Sequence, residues 1–234
     1  MLLCPNVRFR RFFFACLLAV IAIPAALPAQ RPVEDGYFRI ARVKYRGGGD
    51  WYNDPSALSN LIAFTRSVVP AGIRPRYEDV DIGSRDIFNY PFLFLTGHGN
   101  ITVSNAEAAN LRDYLDAGGF LHIDDDYGLD AFIRPVLKRI FPDEDLVELP
   151  YSHPIYRVLF PFREGLPKIH EHDGKPPQGF GILRNGRLVV FYSYESNLSD
   201  GWADPDVHGL PEALRSDALR MGANILVGAL TGAF

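Results

Sequence analysis

The chain has 234 residues, 47% of them hydrophobic and 22% charged, with a formal net charge of −4. That balance excludes a disordered or low-complexity protein, and an acidic chain lacks the basic face that nucleic acid or anionic lipid requires. The only two cysteines, Cys4 and Cys16, lie near the start, so the rest of the chain can form no disulfide, thiolate metal site or cysteine nucleophile.

Residues 1–29 carry the parts of a secretory signal peptide in order. Arg8, Arg10 and Arg11 make a positive n-region, Phe12 to Ile23 an apolar stretch, and Ala25 to Ala29 a run with small residues before Gln30. The apolar stretch is shorter than the roughly 20 residues that span a bilayer, so a cleaved leader is expected, with an uncleaved anchor as the alternative. The expected location is the periplasm or the exterior, with no membrane attachment beyond the leader. The leader takes three of the 24 basic and none of the 28 acidic residues, leaving 21 basic against 28 acidic and a net charge of about −7. What remains has no repeat or linker and reads as one domain over residues 38–232, large enough to fold around its own core.

Within it, Phe38 to Arg46 alternates apolar and basic residues as a first strand, ending in Gly47-Gly48-Gly49-Asp50-Trp51-Tyr52. A helix follows, with Asp54 expected at its N-cap, Pro55 at its first position and Leu58, Leu61, Ile62 and Thr65 facing inward. Arg74 to Val80 is a candidate second strand. Tyr90 to Thr96 is a continuous apolar run, as in a strand buried on both faces. After Gly97-His98-Gly99-Asn100, Ser104 and Glu107 form a capping box for a helix that Gly118-Gly119 closes. Phe120 to Ile123 is a fourth strand, ending in Asp124-Asp125-Asp126, and a helix runs from Leu129 to Phe141. Asn185-Gly186 between apolar runs predicts a hairpin, and a last helix begins near Pro211 with Leu214, Ala218, Met221 and Ile225 inward. The alternation predicts a doubly wound α/β core, a parallel sheet with helices on both faces and a C-terminal antiparallel hairpin extension.

In such sheets ligands bind beyond the carboxyl ends of the strands. Three unusual loops stand there: the glycine run with Asp50 and Trp51, the turn with His98 and Asn100, and the triple aspartate with Asp124 and Asp125. Two later segments add to them. Lys168 to Gly174 sets His170 and His172 on one face if extended. Tyr194 to His208 holds Glu195, Trp202 and His208. Trp51 and Trp202 either stack on a ligand such as a sugar or lie as lids over the core. His122, inside a strand, reads as structural, and His153 is open either way. The chain has no Gly-x-Ser-x-Gly nucleophile elbow, no phosphate loop and no complete dinucleotide fingerprint.

Five motifs, GGGDWYNDP, YPFLFLTGHGN, GGFLHIDDDYG, LPKIHEHDGKPPQGFG and YESNLSDGWADPDVH, resemble a bacterial family described as domain of unknown function 4159 (DUF4159). The resemblance runs from about Phe38 to the C-terminus. That family is in turn similar to the class I glutamine amidotransferase-like superfamily, which implies a flavodoxin-like parallel sheet with helices on both sides. In amidotransferases a cysteine nucleophile sits in a sharp turn after a central strand. Here Asp124, Asp125 and Asp126 stand at the corresponding turn, so glutamine hydrolysis is not expected.

Three readings follow. The first is a non-catalytic binding module holding a small polar or carbohydrate ligand, or an envelope protein, at the rim. Its ligand residues would be Asp50, Trp51, His98, Asn100 and Asp125, with Glu195, Trp202 and His208 from the later segment. The second is a metal-dependent hydrolase, in which His98, His170, His172 and Asp124 or Asp125 hold zinc or a similar divalent ion while Glu171 or Asp173 acts as general base. A purely structural envelope protein is the third.

Overall fold

A computed structural model of the chain describes Met1 and residues 36–234. The expected leader, apart from Met1, lies outside the described residues. The strands are β1 (Ile40–Lys44), β2 (Glu78–Asp81), β3 (Phe92–Leu95), β4 (Phe120–Asp124), β5 (Val147–Glu148), β6 (Gln178–Arg184) and β7 (Arg187–Tyr194). The helices are α1 (Ala57–Val68), α2 (Asn105–Asp116), α3 (Asp130–Ile140), α4 (Leu198–Trp202), α5 (Pro205–His208) and α6 (Glu212–Thr231). One seven-stranded sheet runs β2-β1-β3-β4-β7-β6-β5. Its first five strands are parallel, and the β6–β7 hairpin and β5 make the antiparallel end.

Because side chains alternate along a strand, β3 feeds two cores. Phe92 and Phe94 pack with α1, α4 and α6, while Leu93 and Leu95 pack with α2 and α3. Helices thus cover both faces, and the four-residue apolar strand is buried throughout. The capping box of α2 forms as expected, with Ser104 accepting from the Glu107 N–H and Glu107 reaching back to the Ser104 N–H. Asn185 and Gly186 both take positive φ, 52° and 77°, the conformation of a two-residue hairpin turn that matches strand twist.

Two local expectations are corrected. The second strand starts at Glu78 and not at Arg74; Pro75 has no N–H to give a ladder. Asp54 does not cap α1. Ser56 precedes the helix, and Asp54 takes a left-handed φ of 43°, which turns its side chain away from the helix end.

His122 sits among the rings of Phe92, Phe94, Phe191 and Trp202 with Nε2 3.0 Å from Ser193 Oγ. Complete burial pushes it down to about 3, so it is a neutral core residue. His153 accepts from the Ile155 N–H and starts a short 3-10 turn, a structural role. Among the described residues, no helix is long and apolar enough to cross a membrane.

Candidate functional site

Chain order makes the sheet reverse direction between β1 and β3: β2 lies on one side of β1, and β3 and β4 on the other. The loops leaving these two strands therefore diverge and open a crevice. Close packing holds them in register. Tyr45 donates to the Thr96 carbonyl at 3.0 Å, and the Gly49 N–H to the Asn100 carbonyl at 2.9 Å. A Cβ on Gly97, where φ is 142°, would fall 2.1 Å from the Tyr45 hydroxyl. Only glycine permits this approach. Its result is that Asp50 lies against His98, accepting from the His98 N–H at 2.6 Å and facing Nδ1 of the ring at 3.0 Å.

A third wall comes from the segment before β6. Ser196 accepts from the Ile169 N–H and donates to the Pro167 carbonyl, and Lys168 pairs with Glu195 at 2.6 Å. Burial works against ionisation of Glu195, but the Lys168 ammonium outweighs it and holds the carboxyl below its ordinary value. These ties carry His170 and His172 to the rim with their rings 5.3 Å apart.

The product is a cleft of about 320 Å³ lined by His98, Asp126, Tyr127, His170, Glu171, His172, Asp200 and His208. Four of the six histidines converge there from three separate segments, and among the described residues no lysine or arginine lines it. Each is engaged by a carboxylate or an amide. His98 Nε2 lies 3.1 Å from Asp126, His170 Nδ1 2.8 Å from Asp200, and His208 Nε2 2.7 Å from Asp54. His172 Nε2 is 3.1 Å from the Asn197 amide nitrogen, and its ring stacks on Tyr127. Asp54, Asp200 and His208 each offer one ligand atom within 4.8 Å of the others. Burial pushes Asp200 up to about 8, the Asp126 charge adding and His208 opposing. Burial likewise raises Asp126 against the pull of His98, and lowers His172 with help from His170.

Several residues expected at the site stand elsewhere. Asp124 is fully buried and accepts from Ser193 Oγ, both the N–H and hydroxyl of Ser199, and the Leu198 N–H. It ties β4 to β7 and α4 and has no lone pair for a metal in the cleft. Asp125 points to the opposite face of the sheet, toward Tyr192 and Asp130, where burial first and then the Asp130 and Asp124 charges push it up to about 8. Trp202 is fully buried; its indole N–H donates to the Ala218 carbonyl at 2.8 Å, so it belongs to the core. Trp51 is half-buried beneath Tyr52 and Arg42 at the edge of the rim. Asn100 contributes its backbone to the loop pair and is otherwise exposed. Glu195 is held by Lys168. Glu171 lines the cleft mouth, while Asp173 is half exposed, 3.8 Å from Lys175.

Asp54, Asp126, Asp200 and Asn197 were not singled out by the sequence. Asp54 carries the signature of a helix cap, and Asp126 and Asp200 are single members of acidic runs. Only their alignment with histidines far along the chain sets them apart.

The sequence model of one family, described as a domain of unknown function (DUF4159), matches residues 39–230. Among curated proteins the chain finds no match.

Proposed function

The chain belongs to the DUF4159 family, whose description gives no activity, and from the cleft itself we propose that it is a divalent-metal hydrolase. The ligands are Asp54, Asp200 and His208, with zinc or a similar ion as the cofactor. The observation that carries this is the meeting of those three side chains, Asp54 from the loop before α1, Asp200 from α4 and His208 from the end of α5, with Asp200 and His208 lining an open cleft. Imidazole and carboxylate are ordinary donors for zinc, manganese and iron. Three protein ligands leave a position free, the pattern of catalytic and not structural sites.

An ion there supplies a water molecule of lowered pKa and polarises the substrate. The protein's part is proton handling and orientation. His98, with Asp50 on Nδ1 and Asp126 beside Nε2, would be the general base: Asp50 would hold the proton on Nδ1, and Nε2 would take the proton from water on turning from Asp126 into the cleft it lines. Glu171, which lines the cleft 3.9 Å from Lys168, is the alternative base; Asp173 faces Lys175.

A second reading keeps the same cleft as a binding site without turnover, for a small polar or carbohydrate ligand or an envelope protein. It is favoured by the exposed ring of Tyr127, which lines the cleft and stacks on His172 and offers its other face for stacking. The fold supports a finer placement. The order β2-β1-β3-β4, with β7 in fifth place, matches the flavodoxin-like order, in line with an amidotransferase-like sheet without its cysteine. We also place the protein in the periplasm or outside the cell, on the strength of residues 1–29.

The test is metal content. The chain, purified without a histidine tag, is expected to carry near-stoichiometric zinc, manganese or iron, to melt higher on metal addition, and to hydrolyse members of an ester, phosphoester and glycan-amide panel until chelated. Less than about a tenth of an equivalent with no thermal shift overturns the metal reading, since binding must stabilise the folded state. Bound metal with no turnover leaves the binding module.

A further inference from the structure

Resting on the hydrolase reading for the reaction it serves, we propose that His172 is the hydrogen-bond donor to the substrate and Asn197 its positioning residue. The Asn197 amide locks the His172 ring in the neutral Nδ1–H form, and that N–H donates to the oxygen of the scissile carbonyl or phosphoryl group.

A neutral imidazole carries its proton on one nitrogen, and the neighbour of the other nitrogen decides which. For His172 that neighbour is the Asn197 amide nitrogen, 3.1 Å from Nε2. Asn197 is fully buried, with a left-handed φ of 55° at the start of α4. Its amide nitrogen also faces Asp200 Oδ2 at 2.9 Å and Asp126 Oδ1 at 3.2 Å. The two carboxylates fix the orientation of the amide, because the reversed group would set its oxygen against theirs. An amide nitrogen donates and cannot accept, so Nε2 of His172 is the bare nitrogen. Two hydrogens serve three acceptors, and His172 depends on them most. Asp126 Oδ1 also accepts from the Tyr127 N–H at 3.1 Å, and Asp200 Oδ2 lies 2.8 Å from His170 Nδ1. Nε2 of His172 has no other partner among the described residues.

With Nε2 taken, the proton sits on Nδ1, which has no hydrogen-bond partner among the described residues. The ring lines the cleft, and stacking on Tyr127, 7° from parallel with centroids 5.4 Å apart, fixes its plane. Burial, with His170 beside it, holds the ring below the ordinary histidine range, so it stays neutral at pH 7. The outcome is an uncharged N–H donor of fixed direction. Such a donor stabilises an oxygen as negative charge develops on it. The lock also occupies the Nε2 lone pair, so His172 acts on the substrate and not on the ion.

The first experiment is long-range proton–nitrogen NMR of the metal-free, 15N-labelled full chain at pH 7, with His172 assigned from its loss in His172→Gln. A protonated Nδ1 and a bare Nε2 are expected; a proton on Nε2, or an even mixture, overturns the lock. Asn197→Asp suits the same left-handed backbone and puts an acceptor where the donor stood, so the proton should move to Nε2. If that variant does not fold, Asn197→Gly removes the amide on the same backbone, and the two forms should mix. An unchanged His172 in the folded variant overturns the role of Asn197. The second experiment is kinetic, on any ester, phosphoester or glycan amide that the metal-loaded wild type hydrolyses. His172→Leu should lower kcat about 100-fold or more with a smaller change in KM. His172→Gln, which can accept from Asn197 and still donate to the cleft, should recover part of that loss. Wild-type kcat in His172→Leu overturns the donor. No turnover by the wild type overturns the hydrolase reading and the donor's role together, while the NMR result still decides the lock.

Discussion

The carboxylate of Asp54 lies 2.7 Å from His208 Nε2, although 154 residues separate them in the chain. The left-handed backbone at Asp54, φ 43°, and the short helix α5 that ends on His208 bring the two together. Neither residue has a reason to be so placed in the helix it adjoins. Asp54→Asn keeps a residue that tolerates the left-handed conformation and removes one charge. Zinc affinity by calorimetry is expected to fall at least about tenfold, since a charged ligand becomes neutral and even loss of an outer partner costs that much, while the metal-free melting temperature stays within about 2 °C.

Asp124 predicts the opposite pattern. Its four hydrogen bonds join β4, β7 and α4 in a water-free place. Asp124→Ala leaves those donors buried and unpaired, at a cost of about 3–5 kcal/mol, or roughly 10 °C in melting temperature for a domain of this size. Metal stoichiometry of the folded fraction should be unchanged. A loss of metal without a loss of stability would return Asp124 to the ligand set.

His122 sets an acid limit. Its folded pKa of about 3 lies below the ordinary 6.5, so below pH 6.5 the unfolded chain binds the extra proton. Its contribution is therefore complete above about pH 6.5 and is lost as pH falls toward 3, by about 1.4 kcal/mol per unit. Asp124 and Asp125, raised by burial, slope the other way, so the clean measurement is a difference. His122→Phe compared with wild type by urea unfolding should gain relative stability steadily from pH 6.5 to pH 4. A difference independent of pH would show that His122 is not held neutral.

Gly97 joins packing to the site. An alanine there meets both an unfavourable φ and the Tyr45 hydroxyl, so Gly97→Ala should cost about 1–3 kcal/mol from backbone strain alone. Because the same turn sets His98 against Asp50, turnover should fall further than stability does. Tyr45→Phe in the same chain removes the nearest atom but not the strain, and should recover part of the melting temperature.

Much of the fold was legible because it rests on local rules. The apolar run at β3, the Ser104–Glu107 box and the Asn185-Gly186 turn each carry their own physical cause within a few residues. Errors fell where a local rule was overridden. Asp54-Pro55 has the chemistry of a helix start, yet the backbone there is bent to serve His208. Trp202 has polar neighbours in sequence, yet a single helical turn rotates it inward onto Ala218 and leaves Asp200 in the cleft.

By itself the sequence determined the α/β alternation, the absence of thiols after Cys16 and the strand-end loops where His98, His170, His172 and His208 stand; periodicity and residue chemistry suffice for these. Only the tertiary structure decided which acids join them. Asp124, Asp125 and Asp126 are indistinguishable as neighbours in a chain, but successive residues at a strand end point to opposite faces or beyond the sheet. One therefore ties down α4, one is buried against Tyr192, and one enters the cleft. Partnership between Asp54, Asp200 and His208 depends on strand order and loop closure over long separations, which no local pattern encodes.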